Sequence, residues 1–287
     1  MAAIVGVAAL SLMDAFMKGA ALAIGAFSAA WLRSVFGTGM AVPLWLARGG
    51  RWPQRKVLRL HLLRGVVSTF MALTFFYSLT KLPIAEAIAI SFIAPLIALY
   101  FAHVLLGETI RTQAIVASLL GFAGTLVIIG GKVSRGSVSA DTWLGLAAIL
   151  FSALLYAYNF IIIRQQSQVA GPAEIASFHS GVSAVILGLA APLLFVAPAA
   201  AELGSIAAAA LLTVAGAMAI AWAYARAETQ VLVPLEYSGF LWAAAFGWLF
   251  FREPVTLTTL LGTACIVSGC WLAAQKPNEI KTEQTAI

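Results

Sequence analysis

Long apolar runs alternate with short polar breaks along the whole chain, and the breaks carry charged residues, glycine or proline. A run of about 20 apolar residues is what one α-helix needs to cross a hydrocarbon core of roughly 30 Å. The runs predict ten helices, at residues 2–22, 25–47, 58–80, 84–106, 110–131, 142–164, 173–197, 203–226, 229–250 and 255–275. The expected fold class is therefore an all-α polytopic membrane protein, with no room left for a soluble domain.

The composition agrees with this pattern, since 62% of the 287 residues are hydrophobic and only 10% are charged. The net charge of +6 does not point to nucleic acid, because the basic residues are not gathered into one patch with interleaved aromatic rings. Cys265 and Cys270 lie five residues apart, on different faces of a helix, which matches neither a metal site nor a redox pair. We expect no cofactor, no metal and no nucleic-acid partner.

The distribution of basic residues predicts the orientation in the membrane. With a cytoplasmic N-terminus, eleven Lys and Arg residues fall on the cytoplasmic side and four on the outer side, as the positive-inside rule requires. The eleven are Arg48, Arg51, Arg55, Lys56, Arg59, Arg64, Arg111, Arg164, Arg226, Lys276 and Lys281, and the four are Lys81, Lys132, Arg135 and Arg252. We therefore expect a multi-pass protein of the bacterial inner (plasma) membrane with both termini in the cytoplasm.

The first apolar run has the length of a span but resembles a signal peptide only superficially. It lacks a basic n-region and contains Asp14 and Lys18 in its interior. We expect it to be retained as the first membrane span.

The two halves of the chain resemble each other. A shift of 145 or 146 residues brings four residue pairs into register. The pairs are Glu108 with Glu253, Gly124 with Gly269, Lys18 with Arg164, and Arg33 with His179. We expect repeats at 1–135 and 136–276, followed by a short cytoplasmic tail at 277–287. Because each repeat has five helices, the second enters the membrane from the opposite side, the plan of secondary transporters with a midplane substrate site.

Charged side chains inside the apolar runs are the first candidates for that site, because each costs roughly 2.5–3.5 kcal/mol to place at the bilayer centre. Asp14 and Lys18 are one helical turn apart, so they either pair with each other or contact a zwitterionic substrate. The repeat places Asn159 at the depth of Asp14, which favours a site shared by the first and sixth helices. Lys18, Arg33, Glu86 and His179 are candidates for coupling or gating.

Glu236 follows Pro234, which removes a backbone donor and kinks its helix, so it is either a substrate contact or a packing hydrogen bond. Aromatic side chains complete the predicted pocket, where rings pack on apolar groups and polar tips fix orientation. These are Tyr77, Tyr158, Trp222 and Tyr237. Glu108 and Glu253 each stand before a helix, and we expect them to cap that helix as structural residues.

Two stretches carry a family likeness, SLTKLPIAEAIAISFIAPLIALYFAHVLLGE at 78–108 and AYARAETQVLVPLEYSGFLWAAAFGWLFFRE at 223–253. They resemble the paired modules of the drug/metabolite transporter superfamily, EamA type. The resemblance covers nearly the whole chain and implies ten helices, no enzymatic cofactor and movement of a small organic metabolite. The second stretch departs from the first in carrying Arg252 where the first has Gly107.

That superfamily includes YddG-type amino-acid exporters, riboflavin transporters and S-adenosylmethionine transporters, and no short motif in this sequence separates them. We expect amino-acid export of the YddG kind, and riboflavin or S-adenosylmethionine transport stays open as the alternative. An enzyme is not expected, because HExxH, GxSxG and Cys/His ligand spacings are missing from the sequence. A pore is the remaining class, and it differs from a carrier in showing neither saturation nor counterflow. We expect a monomer that contacts membrane lipid and a small-molecule substrate.

Overall fold

The computed structural model describes residues 2–106, 112–134, 139–166, 168–224 and 238–274. These residues are helical over most of their length. The helices are α1 (Ala2–Ala47), α2 (Arg55–Leu79), α3 (Ile84–Ser91), α4 (Ala94–Leu106), α5 (Thr112–Val133), α6 (Ala140–Gln166), α7 (Pro172–Leu194), α8 (Ala200–Tyr224), α9 (Gly239–Phe251) and α10 (Leu257–Ala274). The architecture is all-helical, as the apolar runs predict.

Gly25 divides α1 into two arms. Its φ of 80° and ψ of 150° lie in a region that is essentially reserved for glycine. Asp14 precedes Gly25 by eleven residues and Arg33 follows it by eight, yet the two side chains interact electrostatically. A straight helix would separate them by roughly 28 Å. The chain therefore reverses at Gly25, and the two arms correspond to the predicted helices at 2–22 and 25–47.

The predicted helix at 84–106 is interrupted in the structure. It ends as α3 at Ser91 and resumes as α4 at Ala94. Pro95 explains the break, because its ring lacks the N–H that would bond to the carbonyl of Ser91 and clashes with that carbonyl. Two turn residues, Phe92 and Ile93, connect the pieces.

Most of the helix packing joins the two predicted halves of the chain. α1 packs against α7, α8 and α9, α2 against α6 and α7, α4 against α6, and α5 against α10. In the predicted repeat, the arms of α1 correspond to α6 and α7, α2 to α8, α4 to α9 and α5 to α10. If the two halves are exchanged, the contact of α1 with α8 corresponds to the contacts of α2 with α6 and α7. The contact of α1 with α9 corresponds in the same way to the contact of α4 with α6. The contacts are thus consistent with a two-repeat membrane fold.

Small residues bring the helices close together. A Cβ atom added to Gly124 on α5 would lie 2.5 Å from the carbonyl oxygen of Gly262 on α10, and one added to Gly262 would lie 2.5 Å from that of Gly124. Alanines of α1, including Ala29 and Ala30, are buried in the central core together with Ile84 of α3. Close backbone approach through glycine and alanine is typical of helix packing in lipid.

The outer surface is apolar. Leu189, Leu193 and Leu241 are 80%, 89% and 68% exposed, which suits contact with lipid tails. Within the described ranges, five helical segments are long and apolar enough to cross a membrane: Ile4–Ala47, Arg55–Leu79, Ile84–Leu105, Ala140–Ile163 and Pro172–Leu194. The number of spans stays a prediction.

Candidate functional site

Asp14 on the first arm of α1 and Arg33 on the second arm act on each other electrostatically. Arg33 also rests over the ring of Phe76 on α2, with 5.2 Å between its Cζ and the ring centroid. Its Nε is buried and has no hydrogen-bond partner among the described residues. A buried N–H without an acceptor is costly and rare, so this guanidinium has donor capacity to offer a ligand.

His179 contacts α2 and is under the electrostatic influence of two arginines. Its Nδ1 is 3.0 Å from the hydroxyl of Ser68, and both Arg64 and Arg33 act on it electrostatically. The Ser68 hydroxyl also donates to the carbonyl of Arg64 at 2.6 Å. Because a hydroxyl has one hydrogen, His179 then donates from Nδ1, and its Nε2 is left as an acceptor.

Arg64 is buried inside the helix bundle. It is 9% exposed, and it donates from Nε to Asn159 at 3.3 Å and from Nη1 to Gln166 at 2.8 Å. The sequence analysis counts Arg64 among the loop and helix-end charges of the cytoplasmic side, which is wrong for the position of its side chain. The apolar residues around it pack against α6 and α7, and they carry the arginine into the interior.

The hydrogen bonds continue from Arg64 to the start of α7. Gln166 donates from Nε2 to Nδ1 of His61, and Nε2 of His61 lies 2.8 Å from Oε1 of Glu174. The His61 ring is stacked on Phe178 with 4.5 Å between centroids. Sequence reasoning missed this polar chain, because its members are on three helices and their spacing along the sequence shows no motif.

A second polar cluster lies beyond the other end of α2. Lys18 donates to the carbonyl of Leu82 at 2.7 Å and forms an ion pair with Glu253. The other carboxylate oxygen of Glu253 accepts a hydrogen bond from the backbone N–H of Ile84 at 2.8 Å. Glu253 therefore caps α3. Local capping rules predict that it caps the helix that follows it in sequence, and the structure differs on this point. Arg64 and Leu82 are 18 residues apart, so the two clusters are separated by roughly 27 Å along the bundle.

A cavity of about 340 Å³ opens beside the Lys18 and Glu253 pair. It is lined by Leu22, Thr80 and Phe251 in addition to the pair itself. The cavity lies at the end of the bundle, so this ion pair stands where an entrance to the interior would be.

The other predicted site residues are spread over the structure. Tyr77 is half-buried, with Nζ of Lys81 at 6.0 Å from its ring, and Tyr158 packs edge-on against Phe101 with 6.0 Å between centroids. Glu86 is buried in the first turn of α3. Trp222 lies on α8, while Glu108, Glu236 and Tyr237 fall outside the described residues.

Metal chemistry finds no support in the described ranges. No group of three or more His, Cys, Asp or Glu side chains there could hold a metal ion. The polar groups that do converge are guanidinium, imidazole, hydroxyl, amide and one carboxylate, which bind charged organic molecules through hydrogen bonds.

Comparison with known proteins decides the family. The sequence model of the EamA-like transporter family matches residues 1–130 and 143–275. The chain belongs to this family. EamA-like transporters are part of the drug/metabolite transporter superfamily, in agreement with the resemblance carried by the two quoted stretches.

Relatives of this EamA-like protein are transporters of different compounds. The pseudopaline exporter CntI of Pseudomonas aeruginosa is 27% identical over 264 residues, which cover 91% of this chain and 90% of the exporter. A riboflavin transporter of Rhizobium johnstonii is 27% identical over 225 residues, 78% of this chain and 72% of that protein. An S-adenosylmethionine uptake transporter of Rickettsia prowazekii is 24% identical over 265 residues, which cover 90% of this chain and 85% of that transporter.

A solved crystal structure shows the same fold. The two chains are 21% identical and superimpose with a TM-score of 0.64, and the match covers 95% of this chain and 96% of the chain in that structure. Together the comparisons indicate a multi-pass membrane transporter rather than an enzyme. They leave the substrate to be argued from the site.

Proposed function

We propose that this EamA-like protein is a secondary transporter that moves amino-acid-like metabolites out of the cell by alternating access. The observation that carries the proposal is the buried Nε of Arg33, which has no hydrogen-bond partner in the described part of the chain, together with the electrostatic interaction of Arg33 with Asp14. A carboxylate and a guanidinium in one region of the bundle match the ammonium and the carboxylate of an amino acid. Phe76, which lies under Arg33, offers an apolar face for the rest of the molecule.

The depth of the pair supports a site in the middle of the membrane. Asp14 is twelve residues from Ala2, which is about 18 Å along the first arm of α1 and close to half the thickness of a bilayer. Arg33 is eight residues beyond the turn at Gly25, which is about 12 Å along the second arm. A midplane site between two inverted halves is where secondary transporters bind their substrates.

Alternating access needs contacts that break at one end while the other end stays closed. The Lys18 and Glu253 pair joins the two halves at one end, and the His61, Gln166 and Glu174 contacts join them at the other. Helix contacts in one half have counterparts in the other half, so the inward-open and outward-open states are similar in energy. Lys18 then belongs to the gating machinery, as the sequence analysis expects.

The orientation follows from the basic residues. With both termini in the cytoplasm and ten spans, Lys18 and Glu253 lie on the outer side of the bacterial inner membrane. The stretch from Arg48 to Arg59 lies on the cytoplasmic side.

Counterflow in proteoliposomes tests the proposal. We expect the wild-type protein, loaded with an unlabelled neutral amino acid, to take up the labelled compound in a saturable way. Asp14→Asn and Arg33→Gln each remove one charge-assisted contact of roughly 1.5–3 kcal/mol, so KM should rise by about tenfold or more. Asp141→Asn, at a side chain 65% exposed, is the matched control and should leave KM unchanged. Absence of counterflow for every amino acid tested contradicts the proposal.

The alternative substrates are riboflavin and S-adenosylmethionine, which the names of two relatives specify. Riboflavin carries neither an ammonium nor a carboxylate, so its transport would not depend on Asp14. S-adenosylmethionine contains an amino-acid end and would depend on it. Including both compounds in the counterflow assay, with Asp14→Asn beside the wild type, separates the three substrates.

A further inference from the structure

We propose that the guanidinium of Arg64 forms a second anion subsite, and that the preferred substrate is an amino acid with an additional acidic group. The inference rests on the proposed function, because Asp14 and Arg33 would hold the amino-acid end of the same molecule. It concerns a residue that family membership does not assign.

Among the residues that the structure describes, Arg64 is buried without an acidic partner. Its hydrogen bonds go to the amide oxygens of Asn159 and Gln166, which are neutral. Glu174, the carboxylate of the same polar chain, contacts His61 instead. A buried charge is expensive unless an opposite charge compensates it, and a substrate anion would supply that charge.

The amide contacts hold the guanidinium in a fixed position. Gln166 donates from Nε2 to His61, which directs its Oε1 toward Arg64. His61 is in turn held by Glu174. Two of the five N–H donors of the guanidinium are used, and both hydrogens on Nη2 remain for a ligand. A guanidinium positioned in this way binds a carboxylate through parallel hydrogen bonds.

The two arginines are related through His179, because both Arg64 and Arg33 act on it electrostatically. On α2, Phe76 under Arg33 is twelve residues from Arg64, which corresponds to roughly 18 Å between their Cα atoms. Long side chains extend from both positions into the space between them. A second carboxylate on the substrate would give Arg64 the opposite charge that its amide partners do not supply, whereas a neutral amino acid has no group to do so.

Glutamate and glutamine form the decisive pair of probes, because they have nearly the same shape and differ in one charge. We expect labelled glutamate, or the longer 2-aminoadipate, to be carried by the wild-type protein in counterflow with a KM about tenfold lower than that of glutamine. Arg64→Gln should abolish this difference by raising KM for the acidic probes and leaving KM for glutamine unchanged. Arg59→Gln, at an exposed position of α2, is the matched control.

Gln166→Glu provides a second variant that keeps Arg64 in place. The introduced carboxylate neutralises Arg64 from within the protein, so transport of glutamate should fall while transport of glutamine continues. This variant replaces Arg64→Gln if removal of the buried arginine prevents folding. The variant also tests the charge of the subsite rather than its shape.

Three results would overturn the inference. The first is an equal KM for glutamate and glutamine in the wild type. The second is an equal loss of glutamate transport and glutamine transport in Arg64→Gln. Unchanged glutamate transport in Gln166→Glu is the third. If neutral amino acids are carried and the acidic probes are not preferred, only this inference fails, whereas loss of counterflow for all of them removes the proposed function as well.

Discussion

Glu253 and Ile84 are 169 residues apart in sequence, yet the carboxylate of Glu253 accepts a hydrogen bond from the backbone N–H of Ile84 at 2.8 Å. Its second oxygen contacts the ammonium group of Lys18. One carboxylate thus neutralises a buried lysine and compensates the positive end of the dipole of α3. Because Lys18 and Ile84 belong to the first half and Glu253 to the second, this carboxylate joins the two halves.

Loss of that charge is expected to destabilise the protein. Glu253→Gln retains an oxygen that can accept from Ile84 but leaves Lys18 without its counter-charge. Removing one partner of a buried ion pair costs about 3–5 kcal/mol, so thermal unfolding in detergent should begin at a clearly lower temperature. The double variant Lys18→Met with Glu253→Gln should recover most of the loss.

The matched control for this measurement is Asp141→Asn. Asp141 pairs with Lys81 at 3.0 Å, but its side chain is 65% exposed. Exposed pairs contribute about 0–1 kcal/mol, so the unfolding temperature should hardly change. Equal effects of the Glu253 and Asp141 variants would contradict the assignment of a buried structural pair.

Glu253→Gln is also expected to open the bundle at the end where Glu253 pairs with Lys18. Thr80 lines the adjacent cavity, and a cysteine placed there can be labelled by a membrane-impermeant maleimide. In a background with Cys265→Ser and Cys270→Ser, Thr80→Cys should react about tenfold faster when Glu253→Gln is present, because a loss of at least 1.4 kcal/mol shifts a two-state equilibrium by that factor. An unchanged rate would show that the ion pair stabilises the fold without gating it.

The contact of α5 with α10 should tolerate no added methyl group. In Gly124→Ala the new carbon would lie 2.5 Å from the backbone oxygen of Gly262, so the helices must move apart. Overpacking of this kind costs about 1–3 kcal/mol, which thermal unfolding of the purified protein can detect. Gly130→Ala on the same helix meets nothing within 4 Å and is the control. Equal stability of the two variants would argue against close packing here.

The positions of the helices could be predicted from the sequence, because a membrane span needs a run of apolar residues of fixed length. The break at Ser91 was foreseeable from Pro95, although the sequence analysis extends one helix across it. Asp14 could be named as a candidate from the sequence, since a carboxylate in an apolar run has a cost that only function or pairing explains, and its role stays a prediction.

The partners of the charged residues could not be predicted in this way. Glu253 stands before a helix, and local rules assign its carboxylate to that helix, whereas the structure brings α3 to it from the other half of the chain. Arg64 lies nine residues into α2, where a long side chain commonly reaches back to the membrane surface. Its burial depends on the packing of α2 against α6 and α7, which no single stretch of sequence encodes.

The reversal at Gly25 also has a consequence for biosynthesis. Both arms of α1 emerge from the ribosome with no polar loop between them, and each arm carries a charge that lipid alone would oppose. A helical hairpin that enters the bilayer as one unit lets Asp14 and Arg33 offset each other before either meets the hydrocarbon. A single glycine thereby allows the nascent chain to deliver two oppositely charged groups to the membrane interior at the same time.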